Sequence, residues 1–438
     1  MEDNIKNIYL KKSKKNIVLL FIAQAINVIG DDFFNIAVMW IVYSESKSTL
    51  ITSIIGVVWH LTDFIISPVA GVIADTKDKR KIVFTSNIIT LLFSLFIGIY
   101  ALYTETFPIP LAIASIALLN ILTSFINPTR SALIVNLVEK DKLKSINGAF
   151  SSVVQVSSVI GNGLSGIILS VFGIGISIII NSFSYLIVIV CFIFFNWNNI
   201  SYNDETNNNI KVRYTFLNDF KLGLNYLKEQ KKLIKLSIFL VLLNGISFLG
   251  TLYPAIINEN LGSSSTIYGF IQTAGTLGAI IGSLFLTIKK TTNNKSYIVS
   301  CLIGIAISLF GLAISKNYVV SIIMAFSQNI FMTINSILVN TLIMTNVESK
   351  YIGRMLGLIK SLVIIIIPIT TIIAGWIGTF VNVQYIFIFS SIYIIFIAAL
   401  TPYLIKNWYK IIFVNIHKKN EISNLLVWKS LLKGFFYT

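Results

Sequence analysis

Apolar runs of about 20 residues recur from one end of this chain to the other, and nothing else in the sequence constrains its fold as tightly. Each run can cross ~30 Å of hydrocarbon as a helix rising ~1.5 Å per residue. They fall at 17–42, 50–74, 82–103, 107–127, 147–170 and 173–195, then at 233–257, 265–288, 296–315, 318–345, 355–381 and 383–405. The expected fold class is an all-α membrane protein with about twelve transmembrane helices. Composition agrees, since 55% of the 438 residues are hydrophobic and 12% are charged, against about 25% charged in soluble domains. Too few polar side chains remain to cover a water-facing surface.

The runs divide the chain into a six-span half over 1–195, a polar connector over 196–232, a second six-span half over 233–405 and a basic tail over 406–438. Two such halves are the kind of internal repeat common in transporters. The connector opens with SYNDETNNN and then places Phe216, Phe220, Leu224 and Leu227 at helical spacing, so it is expected to lie on the membrane interface as an amphipathic helix. The tail mixes Trp408, Tyr409, Trp428 and Phe435 with lysines and suggests surface-lying helix.

A formal net charge of +16 raises the question of a nucleic-acid partner. The placement of the charges gives a different answer. With the N-terminus in the cytoplasm, only Lys47 and Lys316 of the 34 Lys and Arg fall outside, which is the pattern that basic loops impose on membrane orientation. Both termini are then cytoplasmic, the lipid bilayer is the partner, and nucleic acid is not. The apolar stretch after MEDNIKNIYLKKSKKN is longer than the ~7–15 residues of a signal peptide's core, so it reads as a retained first helix. Cys191 and Cys301 both sit inside apolar runs, where neither a disulfide framework nor a metal cage is expected. No Walker motif appears, so ATP drive is not expected. No nucleophile–base or metal-ligand spacing stands out, and an enzyme is not expected.

Ionisable groups inside a membrane cost roughly 2.5–3.5 kcal/mol each on insertion scales and default to functional candidates. The first span carries Asp31 and Asp32. At about 100° per residue, Gln24, Asn27, Asp31 and Asn35 form one polar stripe, and Asp32 lies off it towards a neighbouring helix. In the second span Ser53, Gly56, His60, Asp63 and Ser67 share a face. Asp31 and His60 both lie about 21 Å from the inner end of their helices, so a His60–carboxylate pair is sterically reasonable, and such chains serve as proton relays. The second half has no deep acidic residue, because Glu259 and Glu348 lie at span ends. Its tenth span carries a neutral stripe of Asn329, Thr333, Ser336 and Asn340, which either meets substrate or holds helices together.

The loop after the second span reads GVIADTKDKRK from Gly71 to Lys81. With Gly71, Asp75, Lys79, Arg80 and Lys81 it resembles the signature of the Major Facilitator Superfamily. Asp78, standing where the superfamily often has a second glycine, is similar to the macrolide-efflux branch. NPTRSALIV, with Pro128 and Arg130, resembles a segment of that branch, and the resemblance implies an Arg130–Asp75 pairing at the inner end of the fourth helix. SSVIGNGLSG is similar to the glycine-rich motif of antiporters through Gly161, Gly163 and Gly166, with Asn162 in place of a usual proline. YIGRMLGL, with Gly353 and Arg354, resembles the loop before the eleventh span.

What the resemblance implies is a monomeric drug:proton antiporter of a bacterial plasma membrane, with no cofactor and with the proton gradient as driving force. Its small-molecule substrate would be a macrolide-like antibiotic, a peptide antibiotic or a siderophore. A proton-coupled nutrient importer and a non-transporting immunity or sensor protein remain open alternatives on the sequence.

Overall fold

The computed structural model describes residues 2–104, 107–197, 231–288, 294–346 and 352–404. The amphipathic connector helix, the basic tail and the side chains of Gly353 and Arg354 lie outside the described residues. The chain runs α1 (Glu2–Ser46), α2 (Thr49–Thr76), α3 (Lys79–Thr104), α4 (Ile109–Leu137), a 3-10 turn (Lys140–Lys142) and α5 (Leu143–Ile193). It continues through α6 (Lys231–Asn244), α7 (Leu249–Leu261), α8 (Ser265–Ile288), α9 (Asn294–Ile314), α10 (Tyr318–Asn346), α11 (Ile352–Ile377) and α12 (Val383–Leu404). Ten helical stretches of the described residues are long and apolar enough to cross a membrane, one of them spanning α6 and α7 together, and α11 adds a shorter apolar piece, Ile365–Ile377.

Local chemistry sets the breaks between helices. Ser48 opens α2 by accepting from the Ile51 backbone N–H at 3.4 Å, and Asp78 opens α3 by accepting from the Arg80 N–H at 2.9 Å, both N-cap bonds. Gly262 ends α7 at φ 53°, the left-handed turn that glycine adopts without penalty. At 51 residues α5 is far too long for one crossing. It is interrupted at Gly173 (φ 77°, ψ −179°), a conformation essentially reserved for glycine, which divides it into two arms.

Two boundaries depart from the sequence reading. The fourth helix does not stop at 127 but runs through Pro128 and Arg130 to Leu137, because Leu133 and Ile134 pack into a second apolar cluster with Leu20 and Val83. The run at 233–257 is one apolar stretch in sequence but two helices in space. Between α6 and α7 the backbone turns with three-residue bonds, Gly245 N–H to Leu242 O (3.0 Å) and Ser247 N–H to Asn244 O (3.1 Å), and Tyr393 donates to the Leu242 carbonyl at 3.0 Å.

Helices α1 to α5 pack chiefly on one another, as do α8, α9, α10 and α12, with α6 lodged against α11 and α12. Two seams join these groups, α5 with α8 and α2 with α11. Both are built from small residues near one end of the molecule. A methyl group added at Gly166 would stand 2.5 Å from the Ser265 carbonyl oxygen, and one at Gly375 would stand 2.3 Å from Ser53 Oγ. At the same end Thr49 Oγ1 donates to the Gly375 carbonyl at 2.8 Å, Lys47 Nζ donates to Asn258 Oδ1 at 3.0 Å, Tyr43 donates to Glu259, and Trp40 stacks on Tyr268. At the other end, where neither seam is pinned in this way, lie Gly71 and Gly148. Large apolar side chains such as Phe96 and Phe389 are 65% and 69% exposed, an outer surface that only lipid suits.

Candidate functional site

The stripe on α1 leads to a small cavity of about 70 Å³ lined by Asp31, Phe34, Asn35, Trp59, Asn120, Thr123 and Tyr185, among others. Tyr185, 1% exposed on the second arm of α5, donates its hydroxyl to Asp31 Oδ1 at 2.7 Å. Asn120 holds α4 to α2 by donating to the Trp59 carbonyl at 2.7 Å. The other stripe residues, Gln24 and Asn27, are buried and stand outside the cavity's lining, with Gln24 Oε1 unpaired. Asp32 faces the first arm of α5: a methyl at Gly161 would lie 2.7 Å from Asp32 Oδ2, and that oxygen is buried without a hydrogen-bond partner. Adjacent carboxylates therefore sit in different settings, one held by a tyrosine and the other beside Ser158 with one oxygen unpaired.

Several sequence expectations meet a different geometry. The structure does not place His60 among the residues lining the Asp31 cavity; its neighbour on α2, Trp59, does so instead. Asp63 Oδ1 accepts from Ser67 Oγ at 2.7 Å, one turn along the same helix. Arg130 does not pair with Asp75. Its Nη2 donates to Asn127 Oδ1 at 2.6 Å, and its guanidinium sits 5.2 Å from the Phe150 ring centroid. Among the described residues the only ion pair within 4.0 Å is Lys142–Glu139. Asp75, Arg80 and Lys81 are exposed and Lys79 is half-buried. Nothing approaches within 4 Å of a methyl at Gly71. The capping role in this loop falls to Asp78.

The glycine motif of α5 divides between two tasks. Gly161 admits α1, while Gly163 and Gly166 face Thr273 and Gly269 across the seam with α8. Asn162 uses its Nδ2 to reach Thr276 Oγ1 at 3.3 Å across the same seam.

The second group of helices holds the larger spaces. A cavity of about 490 Å³ is lined by Asn244, Ser247, Asn335, Ser336 and Asn340 among apolar residues, and a second of about 280 Å³ by Tyr253, Gln272, Gln328 and Asn329. Ile246, Ser247 and Met332 line both, so the two adjoin. Of the neutral stripe, Asn329, Ser336 and Asn340 reach these spaces, and Thr333 is not among the lining residues. Asn329 also donates to the Ala325 carbonyl at 3.0 Å and packs against Gly275. Tyr185, Asn335 and Gln328 escaped the sequence reading. Tyr185 follows Ser177 and Asn181 at helical spacing, a polar stripe visible in the sixth apolar run.

Comparison with known proteins places the chain. The profile of the family described as "Transmembrane secretion effector" matches residues 12–410. Macrolide efflux protein A of Streptococcus pyogenes is 19% identical over 392 residues, covering 87% of this chain and 94% of that protein. An uncharacterized MFS-type transporter of Bacillus subtilis, YfmI, is 23% identical over 389 residues with the same coverages. The staphyloferrin A transporter of Staphylococcus aureus is 23% identical over 292 residues, 66% of this chain and 70% of that one. Among solved structures, the nucleoside transporter NupG superposes with a TM-score of 0.68 at 11% identity, over 89% of this chain and 99% of that chain. An inward-facing, occupied bacterial homolog of the lysosomal transporter Spinster gives 0.67 at 11% identity, over 89% and 96%. A helical membrane protein that matches this profile over nearly its whole length is a transporter rather than an enzyme, and it belongs to the transmembrane secretion effector family of the Major Facilitator transporters.

Proposed function

We propose that this chain is a proton-coupled exporter of a small amphipathic compound, working by alternating access between two six-helix halves. Counting the two arms of α5 separately, α6 with α7 as one span and α11 as another gives twelve crossings. The halves are then 1–195 and 233–405, joined by a cytoplasmic connector and followed by a cytoplasmic tail. The distribution of basic loops supports a cytoplasmic N-terminus in a bacterial plasma membrane. In that orientation the end closed by the two seams faces outward and the open end faces the cytoplasm, so the conformation is inward-facing.

The observation that carries the reading is Asp31, a carboxylate lining an internal cavity with Tyr185 as its donor. The space of about 70 Å³ admits water and is well below the ~300–1,000 Å³ of small-molecule pockets. A buried carboxylate is costly as an anion unless it is paired, so gain or loss of a proton there shifts the balance between two packings of the halves. A proton entering down the membrane potential contributes ~2.3 kcal/mol per 100 mV. Asp32, pressed on the α5 glycine segment, is placed to relay that change towards the α5–α8 seam. Similarity to a macrolide efflux protein and a staphyloferrin A transporter supports an antibiotic or siderophore as cargo.

The test compares wild type with Asp31→Asn at equal abundance in a drug-sensitive bacterial host, following efflux of macrolides, dyes and siderophores with and without a protonophore. Efflux abolished by the protonophore and reduced at least tenfold by Asp31→Asn is the expected result. Protonophore-insensitive efflux, or accumulation in place of loss, would overturn coupling or direction respectively.

A further inference from the structure

We infer that Trp59 is a door between the Asp31 cavity and the space separating the two helical groups, and that Asp63 is the proton station just outside it. The inference rests on the coupling role proposed for Asp31 and names the route by which that group exchanges its proton.

The cavity has one thin wall. Phe34, Leu119 and Tyr185 line it from α1, α4 and α5 and are buried. Trp59 alone of the lining residues is exposed, at 39%, so its ring closes the cavity on one face and meets open space on the other. Helical geometry identifies that space. The lipid side of α2 carries Ile54, Leu61, Ile65 and Val72, all exposed and all within about 20° of one line at ~100° per residue. Trp59 stands about 140° from that line, on the side of Gly56, where an added methyl would strike Thr251 of the other helical group. Its exposure is to the gap between the groups.

The same side of α2 carries Asp63 and Ser67, one and two turns nearer the Thr76 end of the helix. Both are half-buried, and Asp63 Oδ1 accepts from Ser67 Oγ at 2.7 Å. An ionisable group inside a span is costly without a task, and Asp63 does not line the Asp31 cavity. Outside the door it has a task.

The hinge of this door is fixed and its leaf is free. Asn120 donates to the Trp59 carbonyl at 2.7 Å and pins that backbone to α4. The indole N–H, which can only donate, has no partner among the described residues, so packing alone holds the ring over the cavity. With the ring turned aside, a proton leaves the Asp31 carboxyl to a cavity water, moves as hydronium past Trp59 and is taken up by the Asp63 carboxylate. Asp63 then returns it to water on the side of Ser67, so Asp31 ends ionised and Asp63 as it began. With the ring in place, water in the cavity is cut off from that path.

The test measures access rather than transport, so a failure of coupling at Asp31 does not mask it. Purified full-length protein in lipid nanodiscs, with no ion gradient, is treated with a water-soluble carbodiimide and glycine methyl ester. Peptide mass spectrometry gives the labelling rate at each carboxyl, with fragment ions separating Asp31 from Asp32. Trp59→Ala is expected to raise the rate at Asp31 at least tenfold, and Trp59→Phe, which keeps a ring, less than threefold. Asp32, which faces α5, should change less than twofold and reports any general loosening. An unchanged rate at Asp31 in Trp59→Ala, or an equal rise at both carboxyls, would overturn the door. Asp63→Asn should leave labelling of Asp31 within twofold of wild type and slow gradient-driven efflux at least threefold. Efflux untouched by Asp63→Asn in a protein that Asp31→Asn disables would overturn the station. Efflux that survives Asp31→Asn would instead sink the coupling role and leave the access result standing.

Discussion

The two helical groups share an architecture and differ in what they keep inside it. The first holds Asp31 and Asp32 within helix α1, a tyrosine hydroxyl on one carboxylate and a glycine segment against the other. The second lines about 490 and 280 Å³ of cavity with asparagine, glutamine, serine and apolar residues. A charge is expensive in hydrocarbon and a carboxamide much less so. Under the proposed function, concentrating the expensive groups in one half would let that half respond to protons while the other keeps a constant chemical face towards cargo. The difference teaches that charged and neutral polar groups can be kept in separate halves that meet at seams.

The largest effect expected from breaking this division comes from the α5–α8 seam. Gly166→Leu would push a side chain into Ser265 and Gly269, where even a methyl has no room. Loss of more than tenfold in cellular efflux at equal abundance is predicted, and retention of efflux would show that the halves do not close there. Next comes Tyr185→Phe, which deletes the hydroxyl bonded to Asp31. A hydrogen bond to a charged group is worth about 1.5–3 kcal/mol, so gradient-driven efflux should fall about tenfold or more while binding of a transported macrolide in nanodiscs, with no gradient, holds. A parallel fall in binding would mean that the two halves are not separable in this way. The smallest effect is expected at Asn162→Ala. One neutral bond of 3.3 Å across the seam contributes about 0.5–1.5 kcal/mol, enough for a roughly two- to twelvefold shift in accessibility of a cysteine introduced at Gly148, at the other end.

Much of this arrangement is legible in the residues. Hydrophobic run length locates the helices, because the bilayer imposes one thickness on all of them. The sixth run opens at Gly173, the glycine that breaks α5, since a positive φ favours glycine. The angular separation of Asp31 from Asp32 follows from helical periodicity alone. The break between α6 and α7 is not legible, because Gly245 is one glycine in an apolar run and its neighbouring carbonyl is held by Tyr393, about 150 residues away. Nor is the partner of Arg130: the loop signature points to the family, but Asp75 is exposed and nothing lies within 4 Å of a methyl at Gly71. Tyr185 and Asn335 were hidden for a simpler reason. A tyrosine or an asparagine in an apolar run looks ordinary until the structure shows which of its atoms lack partners or face a carboxylate.

The division of labour is tested most directly by reconstituting wild type and Asp31→Asn in proteoliposomes and comparing two modes of movement of a tritiated macrolide. One mode is accumulation driven by an imposed pH gradient; the other is exchange of labelled for unlabelled macrolide with no gradient. The account predicts that Asp31→Asn abolishes gradient-driven accumulation and keeps exchange within about threefold of wild type. Loss of both would make Asp31 part of the cargo site, and retention of both would remove it from coupling; either result contradicts the account.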